Sequence, residues 1–208
     1  PQTLGHEFSG KVVEIGPDVR DVKAGDRVSV MPAIVCGRCY HCRRGNGHLC
    51  SSFACTGLSA ETGGLANFAC LKEYQVAKLP DAVSDLEGAL IEPASVAAYG
   101  VDRAGVVGGD VVLVTGAGPI GVLTAMYASA LGAATVVIAE PNPNRAALVS
   151  AMDIGPVMDP TAEGFSDFMQ DLTEGVGVDL AVECSGTTPG LTTAVGSTRA
   201  RGQVVQTG

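Results

Sequence analysis

The chain has no tryptophan, and aromatic residues fill only 4% of its 208 positions. That scarcity argues against platforms on which nucleic-acid bases stack. Positive charge is also short. Thirteen Lys and Arg face 22 Asp and Glu, for a formal net charge of −9. Such a chain repels phosphate backbones and anionic lipid, so neither nucleic acid nor a membrane surface is expected as a partner. Charged residues of either sign make up only 17%, against 46% hydrophobic. This much apolar surface can offset the entropy of folding, so disorder is excluded. Pro1 to His6 contains neither a basic nor an apolar region, so no secretory leader is expected and the reading is cytoplasmic. No charge falls between Asp110 and Glu140, a length that imitates a membrane span. Gly116, Gly118, Pro119, Gly121 and Gly132 interrupt it, and its pattern changes midway. It reads as strand, turn, helix and strand, each buried in protein.

What is abundant is glycine, with 28 residues. The seven cysteines are unevenly spread, and Cys36, Cys39, Cys42 and Cys50 crowd into one loop-like segment. Two halves follow. The first ninety residues read as β-rich, with short β-branched runs at 11–15 and 27–30 and one or two further strands within 65–79. Ser84 and Glu87 form a capping box, so a helix is expected from Asp85 and a break or restart at Pro93. After about residue 105 the rhythm changes, and apolar runs of strand length, at 111–115, 135–139, 179–184 and 204–207, alternate with helix-length segments at 120–131, 145–152, 165–173 and 191–199. That alternation predicts a parallel sheet covered on both faces.

Val111 to Thr115 runs into Gly116-Ala-Gly118-Pro119-Ile120-Gly121 and then a helix. In this pattern the first glycine permits a tight turn, the second lets a pyrophosphate approach the backbone, and the third packs helix on strand. Pro119 suits the first helical turn, and the helix N-terminus offers free N–H groups to a phosphate. Glu140 ends the next strand, where a carboxylate can accept from both ribose hydroxyls and repels a 2′-phosphate. NAD is therefore expected over NADP. Arg145 is the competing signal, since it could take a 2′-phosphate or lie over the adenine. Without a ligand, the same residues would make a tight βα turn and a surface glutamate.

Four thiolates in Cys36-x2-Cys39-x2-Cys42-x7-Cys50 suit a tetrahedral Zn²⁺ with no open position, hence a structural one. The alternatives are buried or reactive cysteines and a nucleic-acid zinc knuckle, the latter supported locally by Arg38, Arg43 and Arg44. His41 and His48 are read as loop residues, and Cys55, Cys70 and Cys184 as apolar packing. His6 is a candidate metal ligand with Glu7 beside it. On an extended strand the two point to opposite faces, so they can share a metal only where the backbone curls or where one acts indirectly. Glu92 is a charge inside an apolar stretch. It is either a solvent-facing helix position or a carboxylate that needs a cation.

These signals, in this order, resemble the zinc-dependent medium-chain dehydrogenase/reductase family. Gly5 to Val19 matches its zinc alcohol dehydrogenase signature, G-H-E-x2-G-x5-G-x2-V. The four cysteines match its structural zinc lobe, and Gly63-Gly64-x-Ala66 its glycine-rich turn, although Asn67 stands where the family usually has Glu. Glu92-Pro93 is similar to the polyol branch, most of all its 2,3-butanediol members, with sorbitol and threonine members close. The resemblance implies a mixed fold: a GroES-like catalytic domain at 1–95 and a Rossmann NAD-binding domain at 96–208, both incomplete. It implies hydride transfer from a secondary alcohol or vicinal diol to NAD, assisted by a catalytic zinc, in a homodimer or homotetramer. His6, Glu7 and Glu92 would serve that zinc. Gly118, Pro119, Ile120, Gly121, Glu140 and Arg145 would hold NAD, and Ser185 and Thr207 would line its groove. Relatives also carry an upstream cysteine ligand and a sixth sheet strand. The expectation is therefore that residues 1–208 by themselves are inert, with a non-enzymatic dinucleotide-binding protein as the rival reading.

Overall fold

A computed structural model describes residues 2–208. The chain divides into two compact units, Pro1–Glu92 and Pro93–Gly208.

The first unit holds short strands. β1 (Ser9–Lys11), β2 (Arg27–Val30), β3 (Ala33–Ile34), β4 (Ala54–Cys55) and β5 (Val76–Lys78) run between two and four residues each. β2 is central to an antiparallel trio, with Gly10 opposite Val28 and Ala77 opposite Ser29. β3 and β4 form a separate pair. The strand expected at 11–15 lies mostly outside β1. Val12 still exchanges hydrogen bonds with Asp26 and Gly25, at 2.9 and 2.8 Å, but the ladder ends there. Residues 65–72 are not a strand either. Leu65 and Phe68 stand 77% and 76% exposed, so the apolar pattern there has no face to bury.

α1 (Asp85–Ala104) begins as its capping box dictates: Ser84 N donates to Glu87 Oε2 at 2.7 Å, and Glu87 N to Ser84 Oγ at 3.2 Å. It then passes through Pro93 without ending. Proline forfeits one helical hydrogen bond. Burial of Ala97, Val101 and Ala104 beyond it offsets that loss.

The second unit follows the expected rhythm closely. In chain order it comprises β6 (Val111–Thr115), α2 (Pro119–Ala130), β7 (Thr135–Ala139), α3 (Pro143–Ser150), β8 (Val157–Met158), α4 (Gly164–Leu172), β9 (Val178–Glu183), α5 (Thr188–Ser197) and β10 (Thr198–Gln206). β8 is too short to read from sequence, and β10 starts well before 204. All five strands are parallel, in the order β10-β9-β6-β7-β8. Alternation sorts side chains onto two faces. Val112, Val114, Val136 and Ile138 pack with Val101, Ala125, Ala128 and Val149 on one side. Leu113, Val137 and Ala181 pack with Phe165, Met169 and Ala194 on the other. The order reverses between β6 and β9. Outside the carboxyl ends of those strands lies the crevice where open parallel sheets take ligands. Among the described residues no helix is long and apolar enough to cross a membrane.

Candidate metal centres and cofactor site

The backbone around His6 is set by glycines rather than by a strand. Gly5 has φ +94°, in the left-handed region, and turns the chain just before His6. The segment is clamped by Thr3 N to Glu61 O at 3.0 Å, Leu65 N to Leu4 O at 2.9 Å and Gly64 N to Gly5 O at 2.8 Å. A Cβ on Gly57 would run into the Gly5 carbonyl, and one on Gly63 into the carbonyls of Thr3 and Leu4. His6 and Glu7 therefore do not take opposite faces: Nε2 and Oε1 lie 4.0 Å apart. Glu92 joins them, so that one ligand atom from each of the three lies within 4.8 Å of the others. Glu92 is half-buried. Burial pushes its carboxyl above the usual range, and the nearby Glu7 adds to this while His6 opposes it. A nitrogen and two carboxylates around one point form a donor set suited to a zinc ion.

The four cysteines also converge, with sulfur atoms within 4.8 Å of one another. Two 3₁₀ turns, Cys42–Arg44 and Gly47–Leu49, fold the loop back on itself. Backbone N–H groups point at sulfur: Cys36 N and Ser52 N to Cys50 Sγ at 3.3 Å, Cys39 N to Cys36 Sγ at 3.4 Å, and Cys42 N to Cys39 Sγ at 3.5 Å. Such donors favour the thiolate. The N–H groups of Cys42 and Ser51 bring Cys39 down to about 5. Burial and the neighbouring sulfurs drive Cys42 up to about 12. Four thiolates cannot crowd together unless a cation balances them, and a divalent zinc removes the conflict. His41 and His48 lie outside this cluster, as expected. Cys55 and Cys184 are half-buried, whereas Cys70 is exposed and packs in no core.

In the second unit, Gly116 has φ +93°, as a tight turn requires. A Cβ on Gly121 would strike the Gly116 carbonyl, which is the close helix–strand approach expected of the third glycine. A Cβ on Gly118 would meet nothing within 4 Å. The protein itself does not need a glycine there, and the space stays open to a ligand lying on the turn. Gly118 is the N-cap of α2, with Pro119 beginning the helix and no side chain capping it. Its first N–H groups are thus left for an anion.

Glu140 is not a surface residue but 2% exposed. Its Oε2 accepts from Ala117 N at 2.9 Å, and Oε1 from Asn142 N at 2.8 Å and Arg145 Nη2 at 3.0 Å. Burial alone would raise its pKa, but these donors hold it below the usual carboxylate range. Three of about four lone-pair positions are therefore filled by the protein. The Glu140 partnership also engages Arg145, so the two competing signals of the sequence form one ion pair. Ser185 follows β9 and Thr207 follows β10, both at the crevice end of the sheet. Thr207 Oγ1 lies 2.9 Å from Glu183 O and 3.2 Å from Cys184 Sγ.

Two buried polar residues escape sequence reading. Gln75 is buried in the first unit and ties Thr56 Oγ1 at 3.0 Å to the carbonyls of Met31 and Pro32. Nothing in its exposed-looking context signals this. Glu183 is fully buried at the end of β9. A charge closing an apolar strand, as Glu140 does, was the available signal.

Two family models match the chain: the alcohol dehydrogenase GroES-like domain over residues 1–81 and the zinc-binding dehydrogenase domain over residues 119–208. Fold and donor sets thus define a zinc-type dehydrogenase architecture. The chain belongs to the zinc-dependent medium-chain dehydrogenase/reductase family. It is 42% identical to an L-threonine 3-dehydrogenase of Sinorhizobium medicae, over 91% of this chain and 54% of that protein. A zinc-binding dehydrogenase of Sinorhizobium meliloti, solved bound to NADP, superposes with a TM-score of 0.91 at 33% identity, covering 100% of this chain and 61% of the other. The 2R,3R-butanediol dehydrogenase of Bacillus subtilis does so at 0.87 and 35%, covering 99% and 58%. The chain spans about half the length of the curated relatives it matches.

Proposed function

We propose that the protein carrying these residues is a zinc- and NAD-dependent oxidoreductase acting on a secondary alcohol or vicinal diol such as 2,3-butanediol. The observation that carries this reading is the convergence of His6, Glu7 and Glu92 within 4.8 Å. Those three residues would hold a zinc ion, which when bound supplies Lewis-acid polarisation of an alcohol oxygen, while NAD supplies the hydride acceptor. The chain does the rest. His6 offers a neutral imidazole, Glu92 a half-buried carboxylate, and Glu7 a more exposed one that completes the charge. Gly118, Pro119, Ile120 and Gly121 open the α2 N-terminus to a pyrophosphate, Glu140 keeps one acceptor position for a ribose hydroxyl, and Ser185 and Thr207 flank the crevice. The Cys36, Cys39, Cys42 and Cys50 set would hold a second zinc with no position left for substrate.

Glu140 supports NAD over NADP, because a buried carboxylate opposes a 2′-phosphate and holds Arg145 to itself. The Sinorhizobium meliloti neighbour holds NADP. The test is kcat/KM with both dinucleotides: NAD should be preferred, and Glu140→Ser should narrow or invert the ratio by freeing Arg145. A native preference for NADP would overturn the assignment. L-threonine and sorbitol are the competing substrates, the first because the curated relatives are L-threonine 3-dehydrogenases. Assay of 2,3-butanediol, sorbitol and L-threonine beside zinc analysis separates them. A protein that binds neither zinc nor dinucleotide would remove the reading altogether. A cytoplasmic homodimer or homotetramer completes the proposal, and sedimentation tests the assembly.

A further inference from the structure

Glu183 has no part in the function proposed above, yet it is a fully buried charged residue beside the cofactor turn. A carboxylate in such a place must be held by donors. All of them converge on one oxygen. Oε1 accepts from Ser185 N at 2.7 Å, from Gly186 N at 3.1 Å and from the Ser185 hydroxyl, and Thr115 Oγ1 lies 3.4 Å away. Among the described residues, Oε2 has no partner. The group is therefore oriented, and the orientation has a consequence for Ser185. A hydroxyl has one proton to give, and that of Ser185 goes to Glu183. Its lone pairs then receive: Thr187 N donates to Ser185 Oγ at 3.2 Å, and Thr187 Oγ1 lies 2.9 Å from it. Thr187 Oγ1 in turn accepts from Gly190 N at 3.1 Å as the N-cap of α5. The two hydroxyls thus form a chain directed inward, Thr187 to Ser185 to Glu183. Both lone pairs of Ser185 Oγ are filled in this way, and one lone pair of Thr187 Oγ1, rather than a proton, faces outward from the exposed end.

This turn is also coupled to the glycine turn. A Cβ on Gly116 would lie 2.9 Å from Ser185 Cα, so the two turns are in direct contact. A Cβ on Gly190 would lie 2.9 Å from Glu183 Oε1, so the first turn of α5 closes over the carboxylate. The Glu183 carbonyl accepts from Thr207 N at 2.8 Å and so ties in the end of β10.

We propose that Glu183 is a positioning residue of the dinucleotide site. It gathers the ends of β6, β9 and β10 and, through the Ser185 hydroxyl, presets Thr187 Oγ1 as a hydrogen-bond acceptor for a hydroxyl of the ribose on the β9 side of the crevice. An acceptor there suits a sugar hydroxyl and disfavours a phosphate, whose oxygens also accept. The proposal rests on the dinucleotide reading of the second unit. In that reading Glu140, at the end of β7, takes the adenosine ribose, and the other half of the dinucleotide crosses to β9.

The test is binding of NADH and of ADP to the 208-residue chain, with Glu183→Leu, Ser185→Ala and the double variant. NADH binding is followed by the nucleotide's own fluorescence and ADP binding by calorimetry. Leucine removes the acceptor of the Ser185 proton, whereas Glu183→Gln keeps one at Oε1 and should bind NADH as the wild type does. NADH affinity should fall up to about tenfold in Glu183→Leu and in Ser185→Ala, the worth of one hydrogen bond to the ribose. The double variant should be no worse than the weaker single, because the two residues act as one unit. ADP, which lacks the second ribose, should keep its affinity. Unchanged NADH binding in both single variants would overturn the proposal. So would an equal loss of NADH and ADP, which would leave Glu183 a purely structural role. If Glu183→Leu fails to fold, Ser185→Ala still decides, since it leaves the carboxylate in place. A wild-type chain that binds neither ligand would instead overturn the dinucleotide reading beneath.

Discussion

The two units are built on different physics. The second has a five-stranded parallel sheet with apolar side chains on both faces, and its core residues are almost all Val, Leu, Ile, Ala, Phe and Met. The first has strands of two to four residues, and its fully buried positions include Ser29, Thr56 and Gln75 beside Val28, Val30, Cys50 and Leu79. A two-faced apolar core holds itself together by burial. A small unit with little core needs polar pinning and metal. The difference shows which substitutions should matter where.

Removing metal should produce the largest effect. Cys36→Ser, or a strong chelator, should cost the zinc of the cysteine cluster and leave residues 36–50 open to protease and hydrogen exchange. The amides of β6, β7 and β9 should stay protected, because their core contains no metal ligand. Full retention of zinc by the variant, read by elemental analysis, would show that these thiols are not the ligands.

Next comes the apolar core. Leu113 is fully buried in the centre of the sheet. Leu113→Ala should destabilise by about 3 kcal/mol, through lost transfer energy plus a cavity. Denaturant unfolding monitored in the second unit measures it, and a cost below about 1 kcal/mol would mean that the core collapses freely around the gap.

Gln75→Ala should cost somewhat less, about 2 kcal/mol, since it leaves Lys72 N and Thr56 Oγ1 without their present partner. Set beside Leu113→Ala, it contrasts a unit pinned by a buried polar side chain with one held mainly by apolar burial.

The smallest effect is one of pH. Asp179 accepts from Val111 N at 2.8 Å and from Arg199 Nε at 2.8 Å, and both lower its pKa. A folded-state pKa below the unfolded value, near about 4, means that the contribution is present at neutral pH. It is lost as pH falls through the folded value. Stability of the second unit should therefore decline in acid, and Asp179→Asn should flatten that decline.

Legibility from sequence followed the same division. β6 and β7 coincide with the apolar runs at 111–115 and 135–139, and the four helices after α1 fall within a few residues of the expected segments. Long apolar periodicity is a local signal that burial on both faces reinforces. In the first unit the expected strands at 11–15 and 65–79 shrank to Ser9–Lys11 and Val76–Lys78. There the path is decided by backbone contacts at Gly5, Gly57 and Gly63 that no period announces. Pro93 was expected to interrupt α1 and does not, because burial further along the helix outweighs one lost hydrogen bond.

By itself, the sequence determined the chemistry available: four sulfurs at metal-binding spacing, a glycine turn between strand and helix, and carboxylates at strand ends. Those are properties of residue type and local spacing. Only the tertiary structure decided that His6 and Glu7 curl onto the same side and meet Glu92, that Glu140 holds Arg145, and that Glu183 directs the Ser185 hydroxyl inward. Each of these depends on where distant backbone segments touch, and that is set by the packing of the whole unit.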